Sequence, residues 1–260
     1  SSRSVSDSYK DGDGNTVPSD WKKWNADLAF GWTPDDDTWV ELKGGKSDAE
    51  MVYAGRPMDG SKFARESLGL HVRKQNLSEV IKEVDAQIDY NYNDHVMDNF
   101  RLRTPPMVKM HGMLMPNRME MQVTRRTLNS RASMTTAWDK FSLITGVDSQ
   151  QNKHGGSMSM PDMPNMPNMP EMNTPFFTNM KFQSYGAFAE LTYPLNDANK
   201  LVGGARFDQT KIDNFSTQAT RKETLPSGFV RLENEIAEHG LKNYVGVGYV
   251  ERVPDYWELF

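Results

Sequence analysis

Ser184-Tyr-Gly-Ala-Phe-Ala-Glu-Leu-Thr-Tyr193 is the stretch on which the fold turns. In an extended strand, side chains at i and i+2 share a face. Tyr185, Ala187, Ala189, Leu191 and Tyr193 therefore point one way, with tyrosine at both ends and small apolar residues between, while Ser184, Gly186, Glu190 and Thr192 point the other. At strand rise and barrel tilt, the distance between the two tyrosines corresponds to roughly 20 Å of height, close to the apolar band of a membrane barrel between its aromatic girdles. The pattern recurs. Val84, Ala86, Ile88, Tyr90 and Tyr92 oppose Glu83, Asp85, Gln87 and Asp89, and Leu68, Leu70 and Val72 oppose Ser67, Gly69, His71 and Arg73. A soluble β-sandwich also alternates, but it keeps its apolar face inside and has little use for many long strands with charges on one face.

Working outward, the chain of 260 residues yields about ten strand-like segments, near 22–32, 37–49, 64–75, 80–98, 118–137, 140–152, 180–195, 199–213, 225–237 and 242–251. The first twenty residues are polar and read as a loop. Connections alternate in length: 33–37, 75–78, 138–139, 196–199 and 238–241 are short, whereas 53–63, 99–117, 152–179 and 214–224 are longer. That is the up-and-down meander of an outer-membrane barrel, with short periplasmic turns and long extracellular loops on one side. The expected fold is all-β, a transmembrane antiparallel barrel. Ten strands with no closing pair mark the chain as an excerpt, because lipid does not tolerate an open sheet edge.

Composition agrees. No apolar run approaches the 18 residues of a membrane helix, and mean hydropathy is −0.70, as alternating barrel strands allow. Net charge is −5 without a basic block, which argues against a nucleic-acid partner. Cysteine is absent, so the chain has no thiolate ligand or nucleophile. Methionine occurs 17 times, with six between Met107 and Met121 and six between Met158 and Met172. The second cluster contains Met160-Pro-Asp-Met163-Pro-Asn-Met166-Pro-Asn-Met169-Pro-Glu-Met172, a three-residue period that suits polyproline II and aligns the sulfurs along one edge. Thioether selects Cu(I) over hard ions, and imidazole adds affinity for copper. Met110, His111, Met113, Met163, Met166 and Met169 are accordingly candidate accessory ligands in the loops near 99–117 and 152–179. The alternative is that these methionines are adaptable apolar filler or a hydrophobic binding surface.

One pair stands on a strand instead. In Asp89-Tyr-Asn-Tyr-Asn-Asp-His-Val-Met97, residues Asn91, Asn93, His95 and Met97 share the wet face, and Tyr90, Tyr92 and Val96 the greasy one. The backbones of His95 and Met97 are about 7 Å apart by strand rise, and a strand presents both ligands in fixed geometry. His111 and Met113 repeat the spacing in a Gly- and Pro-containing loop, where no strand is expected to hold them. His71, midway along a strand, reads as a lumenal hydrogen-bonder, and His239 as a solvated turn residue.

The runs Asp94-His-Val-Met-Asp-Asn-Phe100, Arg125-Arg-Thr-Leu128, Leu225-Pro-Ser-Gly-Phe-Val-Arg231 and Glu251-Arg-Val-Pro-Asp-Tyr-Trp-Glu-Leu-Phe260 resemble those of TonB-dependent copper receptors of Gram-negative outer membranes. The resemblance covers most of the chain from about Asp89 onward. It implies that residues 1–260 are part of a 22-stranded barrel, with the N-terminal plug and the closing strands outside the chain. It also implies copper, as Cu(I) or Cu(II), held between a plug Cys and Met and a barrel His-x-Met pair, here His95 and Met97. TonB, acting through the plug, and outer-membrane lipid are the implied partners. Copper import is the expected function, with no catalytic residues. A TonB-dependent receptor for a metal chelate such as a siderophore is one alternative, and a copper-buffering protein without transport is another.

Overall fold

The computed structural model describes residues 1–110, 112–161, 173–236, 240–255 and 258. Its dominant element is one antiparallel meander of eleven strands. In sheet order these are β1 (Ser2–Ser6), β4 (Trp21–Asp35), β5 (Thr38–Met51), β6 (Asp59–Gln75), β7 (Ile81–Asp98), β10 (Glu120–Trp138), β11 (Phe141–Ser159), β12 (Thr174–Asn196), β13 (Asn199–Asn214), β14 (Ala219–Ile236) and β15 (Leu241–Tyr249). Two small hairpins, β2 (Tyr9–Lys10) with β3 (Thr16–Val17) and β8 (Met107–Met110) with β9 (Met113–Pro116), project from connections on the long-loop side. No helix among the described residues is long and apolar enough to cross a membrane.

The register shows why alternation specifies this wall. Trp32, Val40, Val72, Ala86, Ala132, Val147, Ala187, Phe207 and Pro226 are successive cross-strand partners, an unbroken apolar row from β4 to β14. The next row, on the opposite face, reads Glu41, His71, Gln87, Arg131, Asp148, Gly186 and Asp208. The apolar face is the exposed one: Leu28 is 79%, Phe207 62% and Val147 58% accessible, while among the described residues the buried apolar ones number only five, Val96, Met180, Phe182, Val202 and Ile212. Water cannot be the solvent of such a surface. The polar face is cross-linked instead. Arg206 bridges Asp148 at 2.6 Å and Asp208 at 2.5 Å, and His71 Nε2 lies 2.7 Å from Asp85 Oδ2, the hydrogen-bonding role expected of it.

Three expectations need correction. The first twenty residues are not simply loop, because β1 pairs with β4 from Ser2↔Asn25 to Ser6↔Trp21. A segment that borders polar neighbours at the top of the wall can pair without an apolar signature. The connection near 214–224 is a four-residue turn, 215–218, since β13 and β14 stay paired up to Asn214↔Ala219. Asn214 Oδ1 accepts the amides of Ser216 and Thr217, and Gln218 adopts φ 58°, which closes the turn. Residues 152–159 and 174–179 of the expected methionine loop likewise belong to strands, as β11 runs on to Ser159 and β12 starts at Thr174, far above the apolar belt. His239 lies outside the described residues.

Candidate metal site in the barrel wall

His95 sits three residues from the top of β7, on the polar face and on the long-loop side. Its cross-strand neighbours are Phe63 on β6 and Val123 on β10. The Phe63 ring stacks on the imidazole with centroids 4.3 Å apart and an interplanar angle of 29°. Phe63 reaches this position because Gly60 has no side chain: a Cβ there would meet the ring at 2.0 Å. The β6 bulge between Gly60 and Lys62 brings this glycine opposite Met97. His95 Nε2 is buried and has no hydrogen-bond partner. An imidazole nitrogen that is buried, held by a stacked ring and left unbonded is uncommon, since buried polar atoms are nearly always paired, and it is a ready ligand for a soft or borderline metal.

Met97 shares this face, and the register extends it. Met97 is paired with Met121, and Met121 with Met158, so three neighbouring strands place thioethers in one row directly above the His95 row. The expected strand 118–137 already contained Met121, whereas Met158 fell in the expected loop 152–179. Both are strand residues, and the signal that links them to the site is their i, i+2 phase with Val123 and Gly156, the partners of the His95 row.

The opposite face at this height is closed by hydrogen bonds. Asp94 accepts from Lys62 Nζ at 2.7 Å and from Gln122 Nε2 at 2.8 Å. Asp59 and Asp98, paired across β6 and β7, are both completely buried. Asp98 accepts from the amides of Phe100 and Arg101, from Arg101 Nη1 at 2.8 Å and from Ser61 Oγ. Asp59 accepts from the Tyr53 amide and from Arg103, whose Nη1 also donates to the Arg56 carbonyl at 2.6 Å. Arg103 lies in the loop beyond the membrane, and its hydrogen bond to Asp59 raises its already high pKa, so the guanidinium stays charged. Asn99 pairs with Met119 backbone in both directions, which pins the two feet of the loop together.

Of the accessory candidates, Met110 and Met113 face each other in the register of the β8–β9 hairpin, whose tip includes Gly112 at φ 85°. Met113 therefore stands on a strand, contrary to expectation, and is 64% exposed. His111, Met163, Met166 and Met169 lie outside the described residues. The structure thus brings together His95, Met97, Met121 and Met158, and keeps Met113 apart from them on its own hairpin.

An outward apolar belt, a polar inner face and long connections gathered on one side define the wall of an outer-membrane barrel. The chain belongs to the TonB-dependent receptor family: the family model "TonB dependent receptor-like, beta-barrel" matches residues 2–260. It is similar to a solved structure of the copper transporter OprC, with 47% identity and a TM-score of 0.85 over 98% of this chain. The chain spans 40% of the length of that structure. Two iron-related structures share the fold alone. FpvA of P. aeruginosa, bound to heterologous pyoverdines, is 10% identical with a TM-score of 0.65, covering 85% of this chain and 34% of that one. The FrpB iron transporter of Neisseria meningitidis is 13% identical with a TM-score of 0.57, covering 91% and 39%. No curated protein sequence matches the chain. The protein is an outer-membrane β-barrel receptor, and its family and structural relatives are receptors and transporters.

Proposed function

We propose that this chain is part of a 22-stranded barrel that imports copper ions across the outer membrane, and that His95 and Met97 are the barrel's ligands to the incoming ion. The observation that carries the reading is His95 Nε2, buried, stacked against Phe63 and without a hydrogen-bond partner on the face that also bears Met97. The similarity to a copper transporter supports the choice of metal. Copper is the cargo. It arrives at exposed thioethers such as Met113, passes to the strand-held row Met158, Met121 and Met97, and meets the imidazole below. Met110, His111, Met163, Met166 and Met169 belong to the capture stage of this scheme. Soft neutral sulfur suits the task, because its weak, exchangeable bonds release the ion forward.

The sheet is open at β1 and β15, which a barrel in lipid cannot be. The remaining ligands and strands belong to the rest of the receptor, together with the plug through which TonB drives release into the periplasm. A copper-buffering protein without a membrane is at odds with the apolar outer face, and no feature of the site favours an iron chelate over a bare soft ion.

The test is copper binding by the full-length receptor, measured by metal analysis after dialysis against a competing chelator. His95→Ala and Met97→Ala are each expected to lose the tightly held ion. Retention of one tight copper per receptor in both variants overturns the assignment.

A further inference from the structure

The face turned to lipid changes character above its apolar belt. The row Ile88, Ser130, Ser149, Tyr185 and Gln209 marks the edge of that belt. The row above it places Lys211 directly opposite Lys222, and the next places Tyr92, Arg126, Lys153, Lys181 and Asp213 side by side. Three cations thus stand opposite one another on β10, β11 and β12. Like charges directly opposite each other destabilise a sheet. The carboxylates at either end are already engaged: Glu66 with Lys46 at 2.7 Å, and Asp213 with Lys211 at 2.8 Å and Thr220 at 2.8 Å. Among the described residues no carboxylate lies within 4.0 Å of Arg126, Lys153, Lys181 or Lys222. The guanidinium of Arg126 instead lies 5.3 Å from the centre of the Tyr92 ring.

Position identifies what could neutralise this patch. Lys181 is four residues beyond Tyr185 on β12, which at strand rise and barrel tilt is roughly 10 Å above the tyrosine. The polar headgroup layer occupies about 5–8 Å beyond the hydrocarbon on each side, and lysine and arginine stems extend along an apolar surface to place their charges within it. The patch faces outward, away from the lumen and from the proposed copper path. We propose that Arg126, Lys153 and Lys181, with Lys211 and Lys222 beneath them, bind the phosphate groups of an anionic lipid in the outer leaflet. The lipid supplies the negative charge that the row lacks and fixes the barrel's height in the membrane.

Native mass spectrometry of the full-length receptor, titrated in detergent with diphosphorylated lipid A or with phosphatidylcholine, tests this. The wild type is expected to retain lipid A in preference to phosphatidylcholine. The R126Q/K153Q/K181Q variant is expected to bind lipid A about a hundredfold more weakly, while R126K/K153R/K181R keeps the interaction and both variants keep copper binding. Equal retention of the two lipids, or an undiminished lipid A adduct in the glutamine variant, overturns the proposal. So does displacement by equimolar inorganic phosphate, which would make the patch a site for free anion. Should the triple variant fail to assemble, Lys153→Gln and Lys181→Gln alone are each expected to weaken binding about fivefold, and no weakening in either overturns it.

Discussion

At the scale of single residues, His95 owes its readiness to two neighbours that make no bond to its nitrogen. Phe63 covers one ring face, and the absence of a side chain at Gly60 lets Phe63 lie where it does. Gly60→Ala is therefore expected to push Phe63 off the imidazole, let water reach Nε2 and weaken copper retention about tenfold, by the loss of roughly 1–2 kcal/mol of preorganisation. Chelator competition on the variant checks it, with circular dichroism reporting an intact sheet. Met121→Leu keeps the volume and removes the sulfur. It is expected to slow uptake at limiting copper while leaving the tightly held ion in place, which stopped uptake assays with labelled copper will read. His95 and Met97 were legible as a pair because period two is a local property. Phe63 was not, since it reaches His95 only through the pairing of β6 with β7, 32 residues away in sequence.

At the scale of elements, the loop from Asn99 to Met119 is held by buried carboxylates. Asp59 and Asp98 are completely buried, and each is neutralised by an arginine from that loop. Removing one partner of a buried ion pair costs about 3–5 kcal/mol, and the partial exposure of Arg103 puts this case toward the lower end. Arg103→Ala is expected to loosen the loop locally without unfolding the barrel. Hydrogen exchange followed by mass spectrometry should then show faster exchange confined to residues near 53–60 and 99–119. These latches were hidden from the sequence because arginine and aspartate are ordinary in polar loops and acquire their roles only from the register that buries Asp59 beside Asp98. Strand ends were misjudged for a related reason. Above the belt both faces meet water or protein, so the apolar alternation fades while backbone pairing continues, as at β11, which runs on to Ser159.

At the scale of the whole molecule, the sheet is inverted relative to a soluble protein: at the height of the belt its apolar row faces out and ion pairs such as Arg206 with Asp148 face in. Ala189 lies midway between the two tyrosines of β12 on the lipid side. Ala189→Arg is expected to destabilise the assembled receptor by about 2–4 kcal/mol, whereas Glu190→Gln, its neighbour on the inner face, should change stability by much less. Chemical unfolding in lipid vesicles distinguishes them, and equal effects would contradict the assignment of faces.

The sequence by itself determined the fold class, the inward and outward faces of the long strands, and the shared inner face of His95 and Met97. Each of these is carried by spacing within a single strand, where side-chain direction repeats every second residue whatever the strand pairs with. Tertiary structure alone decided which residues stand beside that pair, that Met121 and Met158 continue its thioethers, that three cations share one outward row, and that buried aspartates moor the methionine loop. Those facts depend on register between strands, and register arises from the matching of whole faces across the sheet rather than from any local run of residues.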